Sequence, residues 1–234
     1  MKLINPVSII RILGLIMLIE AVSMLTCIPV ALIYDESVWP FVMSVMISGL
    51  IAGLMRLPGR NAALNNISNR DTFLVVTLAW VLISVTGTLP YMLSGTITSF
   101  INALFESTSG FTTTGASILT EVENLPHSIL FWRSLTHWIG GIGIIVLVIL
   151  ILPSLRITGY HLFSLESSVK EKIHPRIKGV VTRIMLIYLG LTVTEIVFLS
   201  LGDMKLFDSI CHAFGTVATG GFSTKNTSIA GYSV

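Results

Sequence analysis

Two short runs of threonine and glycine carry the chemistry this sequence offers. They are Thr112-Thr113-Thr114-Gly115-Ala116-Ser117 and Thr216-Val217-Ala218-Thr219-Gly220-Gly221-Phe222-Ser223. Threonine hydroxyls and backbone carbonyls are uncharged oxygen ligands. Aimed at one axis, they can replace the water around a dehydrated cation. Gly115 and Gly220 permit the backbone twists that such aiming needs. Each run follows a short apolar segment, Ile97 to Ser109 and Lys205 to Phe214, too brief to cross a bilayer and suited to a re-entrant helix. Such helices, pointing their C-termini inward, would add partial negative charge near an ion. Either run alone reads as a polar turn between helices. Two copies, each after a short apolar segment, favour a pore lining, because non-helical backbone at membrane depth must be buried or face water.

Other reactive groups are sparse. His127, His137, His161, His174 and His212 offer metal ligands or general bases for a rival membrane enzyme. Their spacing forms no His-Glu-x-x-His motif, and no Ser-His or paired-Asp arrangement is evident. Cys27 and Cys211 lie in apolar stretches without metal or redox spacing and read as small buried hydrophobes. The chain is read as no enzyme, with no cofactor beyond a transported ion.

The elements that position the two runs follow from composition. Of the 234 residues, 53% are hydrophobic and only 11% charged. Mean hydropathy is +0.87. A soluble fold of this size has no room to hide that much apolar surface, so the solvent is lipid. The absence of a basic patch interleaved with aromatics argues against nucleic acid. Five stretches are long enough to span: Val7 to Ile33, Val38 to Leu54, Thr72 to Leu93, Ser134 to Leu152 and Val180 to Leu201. Met24-Leu25-Thr26-Cys27 faintly resembles a lipoprotein cleavage box, but the apolar stretch runs on to Ile33, so a retained membrane helix is expected. The fold class is an all-α polytopic membrane protein of helix–re-entrant loop–helix repeats, about five spans plus two pore helices.

Charge sets the orientation. Lys2, Arg11, Arg56, Arg60, Arg70, Arg156, Lys170, Lys172, Arg176, Lys178 and Arg183 fall on one side, against Arg133, Lys205 and Lys225 on the other. The bias puts the N-terminus in the cytoplasm. Both Thr-Gly runs then lie toward the outer face, with Glu106, Glu121, Glu123, Asp203 and Asp208 as an acidic vestibule for cations. A shift of 105 residues lays Gly110 on Gly215, Thr114 on Thr219 and Gly115 on Gly220. Repeats of this kind are common in transport folds.

Several single residues invite a role. Glu106, in the first short helix, is expected to pin the loop as a hydrogen-bond acceptor; the shift gives it Cys211 as counterpart. Arg133 and His137 share a helical face and are candidate supports of the loop, although Arg133 is expected to snorkel at the outer interface. His137, Trp138, Gly140, Gly141 and Gly143 read as a close-packing stretch. Glu20 and Glu195 should face protein and pair with Ser, Thr or His, proton coupling being the weaker alternative. Gly49 and Gly53 form a GxxxG pair, for a contact inside the chain or across a dimer.

Four stretches resemble TrkH-type proteins of the Trk/Ktr/HKT superfamily of potassium transporters. They are Phe105 to Gly115, Thr136 to Leu147, His174-Pro175-Arg176-Ile177 and Ala218 to Ser223. The resemblance implies four helix–pore-loop–helix repeats around one potassium path. It places filter backbone at Thr113, Thr114, Gly115 and Ala116, then at Ala218, Thr219, Gly220 and Gly221. By this reading 1–56 hold two N-terminal membrane helices and 72–152 the first repeat. Residues 153–179 form a cytoplasmic connector, and 180–234 a second repeat that stops after its filter loop. The connector would lie on the anionic leaflet or dock a nucleotide-binding regulatory subunit of the TrkA kind. The resemblance further implies an inner-membrane location, a homodimer in the full-length family, and channel-like or coupled transport. Two repeats are absent, so the chain is expected to be a fragment, a truncated product or one part of a split transporter whose other half is carried by a separate chain; the alternative function is a non-conducting fragment or assembly partner.

Overall fold

The computed structural model describes residues 5–57, 68–151 and 173–232. All regular structure among them is helical. α1 (Pro6–Leu25) starts on Asn5, whose side chain accepts from the Ser8 N–H, with Pro6 in the first turn where its missing N–H costs nothing. The first expected span is not one helix. It breaks at Thr26, and α2 runs Cys27–Ile33. Pro29 has no N–H to donate back to Leu25, which is why the ladder fails there. α3 is Trp39–Arg56.

α4 (Asn69–Thr86) opens with a capping box in which the Ser68 side chain accepts from the Asp71 N–H. Asp71 also accepts from the Asn5 N–H at 3.2 Å, tying the start of α4 to that of α1. Pro90 ends this span in the same way as Pro29, leaving the short α5 (Leu89–Leu93). α6 (Phe100–Phe111), α7 (His127–Ile151), α8 (Ile173–Leu201) and α9 (Leu206–Val217) complete the fold. α8 begins before the expected Val180 because Pro175 falls in its first turn, where proline is tolerated. Most of the expected connector 153–179, namely 153–172, lies outside the described residues.

Four helical stretches are long and apolar enough to cross a membrane: Pro6–Ile33, Trp39–Arg56, Arg70–Leu93 and Gly179–Leu201. α7, at 25 residues, matches them in length. Their outward faces carry exposed Leu15, Ile19, Leu50, Leu186 and Phe198, as a lipid-facing surface requires. The core joins α2, α3, α5, α6 and α7 through Cys27, Phe41, Tyr91, Phe111 and Trp132. Trp132 donates its indole N–H to the Gly87 carbonyl at 3.2 Å, at the break between α4 and α5. Cys27 and Cys211 are free and buried.

Glu20 is buried against Thr86, whose Oγ1 lies 2.6 Å from the carboxyl. Gly49 and Gly53 have nothing within 4 Å of where a Cβ would stand, so they make no close contact inside the chain. The close approach is at Gly14, against Ala52 and Arg56 of α3.

Candidate functional site

α6 and α9 end in one and the same turn. The Thr113 N–H donates to Gly110 and the Thr114 N–H to Ser109, both at 3.0 Å; the Thr219 N–H donates to Thr216 and the Gly220 N–H to Gly215, both at 2.8 Å. This pair of bonds is a Schellman cap, whose pivot takes a left-handed φ. Thr113 has φ +55° and Thr219 φ +56°. For a β-branched residue that conformation costs about 1–3 kcal/mol and persists only where its surroundings enforce it. Two residues on, Gly115 has φ +74° and Gly221 φ +88°.

The backbone therefore repeats over 106 residues, from Thr113 to Thr219 and from Gly115 to Gly221, not over 105. Thr114-Gly115 and Thr219-Gly220 match as letters, and that match is one residue out of step with the helix ends. Gly221, not Gly220, holds the conformation of Gly115. Ala218 is the cap residue of α9, as Thr112 is of α6. Glu106 corresponds to His212, not to Cys211.

The two segments after these caps meet. A Cβ on Gly115 would run into the Gly220 carbonyl oxygen. Thr112, Thr114, Ala116, Thr219 and Gly221 stay exposed. Thr112 and Thr114 hydroxyls sit 2.8 Å apart, and Thr112 also donates to the Thr108 carbonyl at 2.7 Å. Two adjoining stretches of non-helical backbone, each at the C-terminal end of a short helix, thus meet at Gly115 and Gly220 beside an exposed face of Thr112, Thr114, Ala116, Thr219 and Gly221.

Behind that face stands Arg133. It does not reach for the outer interface as its place in α7 suggested; it is 4% exposed. Nε donates to Glu106 at 2.6 Å and Nη1 to the Ser223 carbonyl at 3.0 Å. Its guanidinium carbon lies 3.7 Å from the Phe222 ring centroid. A paired carboxylate, a carbonyl and an aromatic face together satisfy a charge that burial would otherwise penalise. Glu106 in turn accepts from the Ser117 hydroxyl at 3.0 and 3.1 Å and from the Ile118 N–H at 3.1 Å. Glu106 thus holds the first loop, and Arg133 joins it to the second. Fully buried and paired, Glu106 adds no open charge to an outer vestibule.

The glycine-rich start of α7 packs on both loops. A Cβ on Gly140 would strike the Phe111 carbonyl, and one on Gly141 would crowd Ala218 and Tyr188. His137 is buried, with its ring 3.9 Å from that of Phe222 and against the Gly220 backbone. Outside the loops, Asn226 accepts from the Val122 N–H at 2.9 Å and donates its own N–H to Glu123 at 3.1 Å, fastening one loop to the other. Glu36 accepts from the His127 and Ser128 N–H groups at 2.5 and 2.9 Å, capping α7.

Sequence reasoning gave no role to Ser117 or Ser223 and weighed His212 only as a metal ligand or general base. The signal was present: a serine stands two places after each left-handed glycine. Each accepts from the N–H two residues ahead, at 3.1 Å for Ser117 and 2.9 Å for Ser223. Among the described residues no three His, Cys, Asp or Glu side chains gather as a metal cage.

Residues 40–234 match the TrkH family, described as a cation transport protein. This chain belongs to the TrkH family. It is similar to the Trk system potassium uptake protein TrkH of Halomonas elongata, 40% identical over 226 residues that cover 94% of this chain and 47% of that protein. With the TrkH of Escherichia coli strain K12 it shares 39% identity over 227 residues, 95% of this chain and 47% of that one. The crystal structure of the potassium transporter TrkH from Vibrio parahaemolyticus superposes with a TM-score of 0.85 at 37% identity, over 97% of this chain and 46% of that one. The chain spans about half the length of these TrkH relatives. Membership of a transport family answers the enzyme alternative: this TrkH-family chain is a membrane protein and not an enzyme.

Proposed function

We propose that this chain supplies two walls of a potassium-selective filter in a Trk-type uptake system. The observation that carries this reading is the shared ending of α6 and α9, followed by two bare backbone segments in contact at Gly115 and Gly220. Carbonyls of Thr113, Thr114, Gly115 and Ala116, and of Thr219, Gly220, Gly221 and Phe222, would replace water around the ion. The second set starts one residue later than the letters suggest, leaving Ala218 as a cap. Glu106, Arg133 and His137 hold the walls rather than bind the ion. The rest of the ring comes from further pore-loop units, in the remainder of the polypeptide or a separate chain. The N-terminus faces the cytoplasm, where the basic residues concentrate. A regulatory subunit of the TrkA kind docks on that side, and the complete assembly is a homodimer in lipid.

The test is rubidium uptake in cells that lack their own potassium transport. The chain is expressed together with the C-terminal half of the Escherichia coli relative. Uptake is expected, with rubidium preferred over sodium, and Gly115→Val or Gly221→Val should abolish the preference or the flux. Unchanged flux and preference in both variants would sink the filter assignment.

A further inference from the structure

We infer that His212 is a proton-sensitive positioning residue for the second filter segment, acting through the hydroxyl of Ser223. The inference rests on the proposed filter reading and names how that site is regulated.

The argument starts from the two serines. Ser117 and Ser223 occupy equivalent places in the 106-residue repeat, and each hydroxyl oxygen already accepts a backbone N–H. Each therefore has one proton to give to the pore helix behind it. In the first unit the acceptor is the Glu106 carboxylate, which accepts whenever it is ionised and is held there by Arg133. In the second unit it is Nε2 of His212, 3.4 Å from the Ser223 oxygen, on a side chain 5% exposed. With its one proton on Nδ1, neutral imidazole accepts through that nitrogen; imidazolium only donates. One wall is thus braced by an acceptor fixed in an ion pair, the other by an acceptor that protonation removes.

The surroundings decide what protonation does. Asp208 and Cys211 lie on the same helix, and Asp208 is engaged by the Thr224 hydroxyl at 2.7 Å. Tyr232 stands edge-on to the His212 ring at 5.6 Å, and Lys225 covers Tyr232 at 3.7 Å. Arg133 approaches from α7 through the Ser223 carbonyl. From α8, Glu195 reaches Thr216, one turn along α9. A proton on His212 adds a cation that the Asp208 carboxylate favours and Lys225 opposes, and it leaves the Ser223 proton without a taker. The Ser223 hydroxyl must turn, and the segment Thr219 to Phe222 loses its rear support.

The experiment measures rubidium uptake at external pH 5.5 and 7.5 in the co-expression system described above. Wild type should lose about threefold or more at the lower pH, as the buried imidazole, held below its ordinary value by desolvation, takes up a proton. His212→Gln offers a carbonyl acceptor that does not titrate, so its ratio between the two pH values should approach one, whatever its absolute uptake. A second arm follows the His212 ring by isotope-edited NMR in the purified chain. Ser223→Ala should move its titration midpoint upward, because the neutral ring loses its donor. A flat wild-type profile, an acid response retained in His212→Gln, or an unmoved midpoint in Ser223→Ala would each overturn the proposal. Absence of uptake in every variant, wild type included, would count against the transport reading, and the midpoint alone would then decide the role of His212.

Discussion

Arg133 and Glu106 form a buried ion pair, Nε to Oε1 at 2.6 Å, between α7 and the first short helix. Breaking one side leaves an uncompensated charge, which costs about 3–5 kcal/mol, whereas removing both charges together costs less. Arg133→Met or Glu106→Gln should each lower the thermal unfolding temperature of the detergent-solubilised chain sharply. The double variant should be more stable than the Arg133→Met single. A double variant with the summed loss of both singles would show that the pair is not coupled.

The glycines of α7 and α3 should part company. Gly140→Ala drives a methyl into the Phe111 carbonyl, with no flexible side chain to yield. Severe loss of folded protein is expected. Gly49→Ala and Gly53→Ala enter open space within the chain and should stabilise α3 by about 0.5–1 kcal/mol each. Size-exclusion profiles and thermal shifts of the three variants check this, and equal loss in all three would contradict it.

At the filter, equivalent glycines should differ in how they fail. Gly115→Ala suffers both its φ of +74° and collision with the Gly220 carbonyl, so folding and flux should both collapse. Gly221→Ala has the φ of +88° but open space for a Cβ. Its cost should be backbone strain alone, about 1–2 kcal/mol. Comparing expression level with rubidium uptake separates the two outcomes.

Glu20 depends on Thr86. The Thr86 hydroxyl has one proton, and its oxygen lies 2.8 Å from the Leu82 carbonyl as well as beside the carboxyl. Thr86→Val removes the polar partner from a buried acid, at about 1–3 kcal/mol. Glu20→Gln keeps a group able to donate to a neighbour and should be milder in a thermal melt. Uptake by Glu20→Gln with an unchanged dependence on pH would dispose of proton coupling at this residue.

Much of the fold is written in the order of residues, because bilayer thickness sets span length and short apolar segments have few other uses. Breaks at Thr26 and between α4 and α5 follow from Pro29 and Pro90, visible once the missing N–H groups are counted. The inward turn of Arg133 was not readable: its partners, Glu106 and Ser223, come from distant parts of the chain, and nothing local distinguishes a buried arginine from an interfacial one. The repeat was readable and its register was not. Residue letters match at 105, while the hydrogen-bonded turn that ends each helix fixes the equivalence at 106, and only the latter pairs Glu106 with His212.

One guanidinium clasps both loops, with Glu106 and hence Ser117 on one hand and Ser223 and Phe222 on the other. Neither loop can slacken privately. A disturbance begun in one is felt by its neighbour through a single rigid plane of atoms, so the two will stiffen or yield as a couple.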